Sequence, residues 1–566
     1  MHKNATSYVK YSASAAEWIG LIAIFLMAGV IGHDPWKQDE TYSFGIIYHF
    51  YTTHSWLVPF NGDAPFMEKP PLYYWTGVLF CKLFGGLVPL HDAARLTSVF
   101  YMGISCLFMW KLSQALFRHC SDRGSMSWAA LALLLGSLGL VRHAHDMFTD
   151  VALLTGSIIT LYGIALLITA QERWKEAGLW LGLGIGIAFM SKGLFAPVML
   201  CVSGIAIAIM LPELHRRNTC KTALLAIMVA SPFLFIWPLL LYHFSPPLFI
   251  EWFWYNNVGR FLGFSVKRLG AANPPHYFLH ALLWFAFPAF PLACVAAIRN
   301  RAQWRSAAYL LPFTVSVTGI CFLLASASGR ALYLLPLLPA LALLAAQALR
   351  AIPALWLTGW NRAVCIIAGI LTVLIWLSWW NLLHPFAAEP LPQLTGLYAK
   401  WLLLDFTPAG SQVPTCIFAS ILTAFLIMAF RLDMRSYTNT AYLWLVSVAV
   451  LWGISHTLLL PWIDETRSYR PLFSEMEIYL QASPYARDCI GNYRLGESIT
   501  PMLEYFDPGR RLVPASDPSS TACPLLLTHT TKNAMEPMDE RWDLIWKQSR
   551  ALDAKDEELR LYSRKR

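Results

Sequence analysis

The chain has 566 residues, 57% of them hydrophobic and 14% charged, with 24 tryptophans and a formal net charge of +9. A water-soluble globule carries about 25% charged residues, so that class is excluded. The charge-free runs 222–242, 306–329 and 436–463 each exceed the roughly 20 residues needed to cross a bilayer, so the chain reads as a polytopic helical membrane protein.

Residues 1–17 are polar, and the apolar run 18–31 has no small-residue cleavage site after it. The run therefore predicts a first transmembrane helix rather than a cleaved signal peptide. With it, apolar runs near 18–33, 93–117, 127–141, 151–170, 177–191, 193–211, 221–244, 277–298, 307–326, 331–349, 363–383, 413–430 and 440–462 make thirteen predicted spans. The segment 72–84 is a fourteenth candidate. Short basic connectors occur at Arg118/Arg123, Arg173/Lys175, Arg216/Arg217/Lys221, Arg299/Arg301/Arg305, Arg350/Arg362 and Arg431/Arg435, and Lys3 and Lys10 precede the first run. Positive charge marks cytoplasmic loops. Thirteen spans put all of these on one side, whereas counting 72–84 as a span breaks the pattern. That segment is therefore expected to lie along the outer interface, which its Trp75, Tyr73, Tyr74 and Lys82 suit.

The outer segments are then 34–92, 142–150, 245–276, 384–412 and everything after 462, so a membrane domain (1–462) precedes a soluble outer domain (463–566). Within the latter, "MEIYLQ" and "ITPMLEYF" read as amphipathic helices, and "RRLVP", "CPLLLTH" and "WDLIWKQ" as short strands, predicting a small α/β domain. Its two cysteines, Cys489 and Cys523, fall in an oxidising compartment under this topology and can form a disulfide. The chain has no CxxC, no Cys/His metal spacing, no internal repeat and no low-complexity tract. Most of the +9 is topology signal, and nucleic acid is not among the expected partners.

Three charged clusters ask for more than solvation. In "WKQDETYSFGIIYHFYTTHSW", Asp39 and Glu40 open a segment with Tyr42, Ile46, His49 and Phe50 at helical spacing. This places the two carboxylates at the outer membrane edge, although helix capping explains an Asp-Glu pair equally well. In "RHAHDMFTD", Asp146 and Asp150 are four residues apart on one helix face, with Asp150 at the mouth of a crossing helix; an N-cap for that helix is a credible alternative. The loop "EWFWYNNVGRFLGFSVKRLGAANPPH" holds Arg260, Lys267 and Arg268 against Glu251, a basic excess opposed to the topology rule. Lys192 and Arg330 fall at outer helix ends, where simple snorkelling is the alternative. In "GDAPFMEKPPLYYW", Glu68 and Lys69 stand before two prolines at the same surface. Acids and cations thus map to one face near headgroup depth, whereas transporters more often hold ionisable groups at the midplane of two repeated halves. Cations there can bind phosphate oxygens and stabilise charge developing on a leaving phosphate, while a carboxylate can take a proton from a hydroxyl. The residues alone point to an enzyme handling a lipid phosphate.

"DETY", "HSWLVPFNGDAPFMEKPPLYYW", "TDVALL", "MSKGLFAPV", "FWYNNVGRF" and "SGRALYLLPLLPALALL" resemble, in order, the signature of the lipid A aminoarabinose transferases and related bacterial members of the protein mannosyltransferase superfamily. The resemblance spans most of 36–345. It implies the C-type glycosyltransferase fold: an all-α membrane protein of about thirteen helices, with interfacial helices and an outward C-terminal domain. It also implies transfer of a sugar from a polyprenyl phosphate to an acceptor, a glycolipid of the lipid A type or a protein, in the bacterial inner membrane with the site periplasmic. Asp39, with Glu40 beside it, is then the catalytic carboxylate or its organiser, and Asp150, or alternatively Asp146, the second acid. Lys69, Arg260 and Tyr333, helped by Lys192 or Arg330, would meet the donor phosphate, and Glu68 matches a carboxylate that helps hold a metal in the aminoarabinose enzyme.

The chain departs from that pattern at Asn256-Asn257, where the aminoarabinose enzyme has a Glu-His pair. Losing the histidine removes a preferred Zn²⁺ ligand, which leaves a divalent metal at Glu68 open and does not single out aminoarabinose as the sugar. Two rival readings remain: a transferase acting on protein Ser/Thr, and a lipid-linked-sugar flippase whose acids serve as gates.

Overall fold

The computed structural model describes residues 13–37, 39–214, 217–266, 276–384, 400–532, 538–552 and 556–565. Lys3, Lys10, Arg216, Lys267, Arg268 and much of the predicted outer segment 384–412 lie outside the described residues.

Helix α1 (Ala15–Met27) starts at a reciprocal cap: Ser14 Oγ accepts from the Glu17 amide and the Glu17 carboxylate accepts from the Ser14 amide. The first long loop folds as helix α2 (Asp39–Thr53), a two-stranded ribbon of β1 (Phe60–Asn61) and β2 (Ala64–Pro65), and helix α3 (Leu72–Phe84), which begins directly after Pro70-Pro71. Then come α4 (Leu90–Leu116), α5 (Arg123–Leu135), α6 (Leu138–His143), α7 (Thr149–Thr169), α8 (Trp174–Lys192), α9 (Phe195–Met210) and α10 (Arg217–Phe244).

Helices occupy all thirteen predicted runs, two of them broken. The run predicted at 127–141 divides into α5 and α6 at Gly136-Ser137, where Trp444 Nε1 donates to the Gly136 carbonyl (2.8 Å). The run predicted at 277–298 divides into Tyr277–Phe285 and Ala289–Arg299, which meet at 101°. Seven helices among the described residues are long and apolar enough to cross a membrane, or eight if that bent pair is one span. The predicted count of thirteen is larger because α1, α9 and Val413–Ala429 have 13, 16 and 17 residues. Helix α8 is long enough but carries Lys175, Glu176 and Lys192. α10 and Ala354–Leu383 leave large apolar side chains such as Ile227, Leu239, Ile366 and Ile370 exposed, the surface that lipid covers. The chain is a multi-pass membrane protein.

Helix α8 lies between α7 and α10 because glycines on α7 and α8 let backbones touch. A Cβ on Gly156 would sit 2.5 Å from the Ala188 amide nitrogen, and one on Gly182 would sit 2.5 Å from the Ala226 carbonyl. In lipid, where apolar burial between helices adds little, such close approach is a main source of association.

After Tyr437–Arg467 the chain forms a small α/β unit. Helices Arg470–Gln481 and Ile499–Phe506 accompany a five-stranded sheet of order β4-β3-β5-β7-β6. Its strands are β3 (Ile490–Tyr493), β4 (Leu512–Pro514), β5 (Leu525–Thr531), β6 (Trp542–Gln548) and β7 (Glu557–Arg564). β3 runs parallel to β4 and β5, and β7 runs antiparallel to β5 and β6. The predicted helices and the three predicted strands are present; β3 and β7 are additions. Cys489 and Cys523 are disulfide-bonded, tying the start of β3 to the approach to β5.

This unit sits on the first loop. Asn61 Nδ2 donates to the Glu497 carbonyl (2.8 Å), the Tyr505 hydroxyl meets His91 Nδ1 (2.9 Å), and Lys37 pairs with Glu557. Arg470 grips Asp34 through two bonds of 2.8 and 2.6 Å. α2 is thereby held from above while α3 and α4 hold it from the side.

Candidate active site

Asp39 and Glu40 open α2 in adjacent positions, so their side chains diverge by about 100°. Glu40 turns inward and is 3% exposed. It accepts from Arg95 Nε (2.9 Å) and from the backbone amides of Met147 and Trp36 (3.1 Å each). Arg95 is fully buried and also donates to Asp92 (2.7 Å) and to the carbonyls of Val30, His33 and Asp34. Glu40, expected with Asp39 among the catalytic acids, is thus occupied in fastening α2 to α4.

Asp39 turns the other way, its side chain 21% exposed and 3.5 Å from Arg330 Nη1. Its Oδ1 accepts from the Tyr42 hydroxyl (2.5 Å), one helical turn on, and that hydroxyl accepts from Lys69 Nζ (2.7 Å). A relay Lys69–Tyr42–Asp39 results. Burial lowers the Lys69 pKa from the ordinary lysine value, opposed by the charge of Asp39. Burial, with Asp39 next, raises that of Tyr42 well above the usual phenol range.

These groups face a chamber of about 300 Å³ that brings together Asp39, Glu68, Lys69, Asp150, Lys192, Arg260, Arg330 and Tyr333. Four cations meet three carboxylates there. Lys192, at the end of α8, pairs with Asp150 in the first turn of α7 and lies 4.5 Å over the Tyr333 ring. Arg260 grips Glu68 through two contacts of 2.5 and 3.4 Å, and its buried Nε has no partner among the described residues. The rest of the wall is apolar, with Leu153, Phe195, Val198, Phe261 and Phe322. Polar floor and apolar wall match an anionic headgroup on a hydrocarbon tail.

Arg260 is delivered by a wide helical turn of π type, Glu251–Gly259, that also carries Asn256 and Asn257. Asn257 Oδ1 accepts from the Leu194 amide (3.1 Å) and its Nδ2 donates to the Trp252 carbonyl (2.9 Å). A Cβ on Gly193 would collide with that carboxamide, and Gly193 has φ +85°, a region glycine adopts freely. Asn256 lines the chamber, its buried Oδ1 without a partner among the described residues.

The donor set does not fit a divalent ion. Both Glu68 oxygens are turned to Arg260, the Asn257 carboxamide is spent on backbone, and no group of three His, Cys, Asp or Glu suited to a metal occurs among the described residues. The metal role that the resemblance lends Glu68 has no ligand set here.

Asp146 stands apart from Asp150. It lines a second chamber of about 210 Å³ with Trp36, Lys37, Glu40, Arg142 and Arg467, and Asp39 lines this one too. Burial, with the charge of Glu40 next, raises the Asp146 pKa to about 8, and Arg142 Nε lies 3.7 Å away. Tyr42, Arg95, Arg142 and Arg467 were not among the sequence candidates. Arg95 alone carried a signal, a cation inside an apolar run, which marks a functional or paired group.

Residues 68–242 match the family model described as dolichyl-phosphate-mannose-protein mannosyltransferase. The chain is 27% identical over 286 residues to the undecaprenyl phosphate-alpha-4-amino-4-deoxy-L-arabinose arabinosyl transferase 1 of Sodalis glossinidius, covering 49% of this chain and 47% of that protein. It is 25% identical over 284 residues to the corresponding transferase 2 of Proteus mirabilis, covering 49% of each. The chain thus spans about half the length of the curated relatives it matches. The crystal structure of ArnT from Cupriavidus metallidurans bound to undecaprenyl phosphate superposes with a TM-score of 0.65 at 14% identity over 97% of this chain and 98% of that one. Its apo state gives 0.67 at 15% identity with the same coverage. The chain is ArnT-like: it shares that fold over nearly its whole length, and over about half of its length it is similar in sequence to the aminoarabinose transferases.

Proposed function

We propose that the chain is an inner-membrane glycosyltransferase that moves a sugar from a polyprenyl phosphate to an acceptor at the periplasmic face, an envelope glycolipid of the lipid A type. The observation that carries this is the convergence of Lys69, Lys192, Arg260 and Arg330 with Asp39 on one chamber whose remaining wall is apolar. The related transferases are named for an undecaprenyl phosphate donor, and the ArnT of the same fold binds undecaprenyl phosphate.

In this reading the donor phosphate lies among Lys69, Arg260 and Tyr333, with Arg330 and Lys192 at its edge. The acceptor oxygen attacks the anomeric carbon, the bond from that carbon to the phosphate oxygen breaks, and its electron pair stays on the phosphate. The leaving group passes from diester to monoester and gains negative charge, which cations fixed in a partly dry chamber stabilise. Asp39, held by Tyr42 and Arg330, stands beside the reacting carbon. It takes the proton of a hydroxyl acceptor or orients an acceptor already ionised.

The test uses the purified full chain in lipid nanodiscs with a radiolabelled polyprenyl-phosphate sugar and acceptor glycolipid. Acceptor-dependent release of free polyprenyl phosphate supports the reading. Removing the carboxylate with Asp39→Asn should lower the rate by about 10²-fold or more, within the usual span for a lost acid-base or orienting group. Movement of the intact lipid-linked sugar across liposomes without cleavage would instead identify a flippase.

A further inference from the structure

Asn256 is 9% exposed and lines the first chamber, its Oδ1 without a partner among the described residues. Its Nδ2 donates to the Glu251 carbonyl (3.2 Å), which fixes the oxygen as the free end of the carboxamide. A buried acceptor with no donor destabilises the empty site, and a ligand hydroxyl removes that cost. Asn256 stands four residues before Arg260 at the end of the same wide helical turn, so the two side chains share a face and the same chamber. In a donor whose phosphate meets Arg260, the prenyl chain carries no hydroxyl, so the hydrogen offered to Asn256 comes from the sugar. Resting on the glycosyl-transfer reading above, we propose that Asn256 selects the sugar, and that this sugar is neutral and presents a hydroxyl to Asn256 Oδ1, in preference to an amino sugar.

The charge of the chamber is an independent support. Among the described residues its wall holds Lys69, Lys192, Arg260 and Arg330 against Asp39, Glu68 and Asp150. Asp150 is paired with Lys192, Glu68 with Arg260, and Asp39 lies against Arg330. Lys69 is the cation in excess, bonded to the uncharged Tyr42 hydroxyl. A sugar phosphodiester carries one negative charge, which balances that cation and no more. An ammonium on the sugar would bring a further positive charge into a partly dry space whose carboxylates are taken, and an unpaired buried charge is costly. A hydroxyl brings none. Glu497 of the C-terminal unit is the next carboxylate that these charges reach, but it is exposed and is not part of the wall.

Asn256 is also the first of the two positions at which the chain departs from the aminoarabinose pattern, where a glutamate stands. The exchange keeps an acceptor oxygen and drops the negative charge that an ammonium would need. Asn257, the second position, is spent on the Leu194 amide and the Trp252 carbonyl and offers the sugar nothing.

Equilibrium binding to the full chain in nanodiscs tests this at about pH 6, where a sugar amine is charged. The probes are undecaprenyl phosphate, its arabinose phosphodiester, and the 4-amino-4-deoxy counterpart of that phosphodiester. The wild-type chain should bind the arabinose lipid about tenfold or more tightly than the 4-amino lipid, the scale of one unmet charged hydrogen bond. Asn256→Ala should weaken the arabinose lipid by about tenfold while sugar-free undecaprenyl phosphate stays within about twofold, which also certifies that the variant is folded. Asn256→Asp, which restores a negative charge, should move the preference toward the 4-amino lipid by about tenfold or more. Equal or tighter binding of the 4-amino lipid by the wild-type chain would overturn the proposal, whatever the variants do. So would an Asn256→Ala chain that binds the arabinose lipid as the wild type does. Failure of the wild-type chain to bind undecaprenyl phosphate would instead sink the donor reading.

Discussion

Two adjacent carboxylates at the start of α2 meet opposite surroundings, and those surroundings set their roles. Glu40 is buried against Arg95 and two backbone amides, whereas Asp39 is half-open between two chambers. Breaking a buried pair leaves an uncompensated charge, so Arg95→Met should cost about 3–5 kcal/mol and show as a large fall in melting temperature in detergent. Asp39→Asn should leave that temperature nearly unchanged. Lys69 gives a second residue-scale expectation. Because burial lowers its pKa, the ammonium loses its proton at lower pH than an ordinary lysine as pH rises, and donor binding should fail early on the alkaline side. Lys69→Arg, whose guanidinium stays charged, should carry undecaprenyl phosphate binding to higher pH in the same titration. Asp39, Lys69 and Arg260 were legible in the sequence because each stands in a motif or breaks a charge rule. Tyr42 and Arg467 were not, since their importance arises only where distant segments come within reach.

At the scale of elements, apolar runs predicted helices well because lipid demands them, but not where they break. Gly136 ends α5 through an interaction with Trp444, more than 300 residues away, and no local pattern announces that. In the C-terminal unit the predicted strands held. β3 was missed because it is four residues long, and β7 because Glu558 and Arg560 pair with each other within a partly buried strand and mask its apolar pattern. The Cys489–Cys523 bridge joins elements 34 residues apart. Closing a loop of that size removes denatured-state freedom equivalent to about 3–4 kcal/mol in the chain-entropy view. Reduction, or Cys489→Ser with Cys523→Ser, should therefore expose the amides of β3 and β5 to hydrogen exchange while those of α7 and α8 remain protected.

At the scale of the whole molecule, the C-terminal unit acts as a clamp on the loop that carries Asp39 and Lys69. One of its contacts is the pairing of Glu557 with Lys37, with His529 on the same carboxylate. The imidazole of His529, 3.5 Å away, with Lys37 beside it, lowers the Glu557 pKa from 4.5 to about 2. A depressed carboxylate contributes stability that is present above its unfolded pKa and lost as pH falls through its folded one. Proteolytic release of the C-terminal unit should thus begin to rise as pH drops below about 4.5, with Glu557→Gln flattening that dependence.

The proposal that the chamber on which these separate loops converge binds the donor phosphate is tested most directly by a cryo-electron microscopy map of the full chain with undecaprenyl phosphate. The account predicts phosphate density within about 3 Å of Lys69 Nζ and an Arg260 donor, beside Asp39, with the prenyl tail along Phe195 and Phe322. Phosphate density outside that chamber, with Lys69 still bonded to Tyr42 and Arg260 still closed on Glu68, would contradict it.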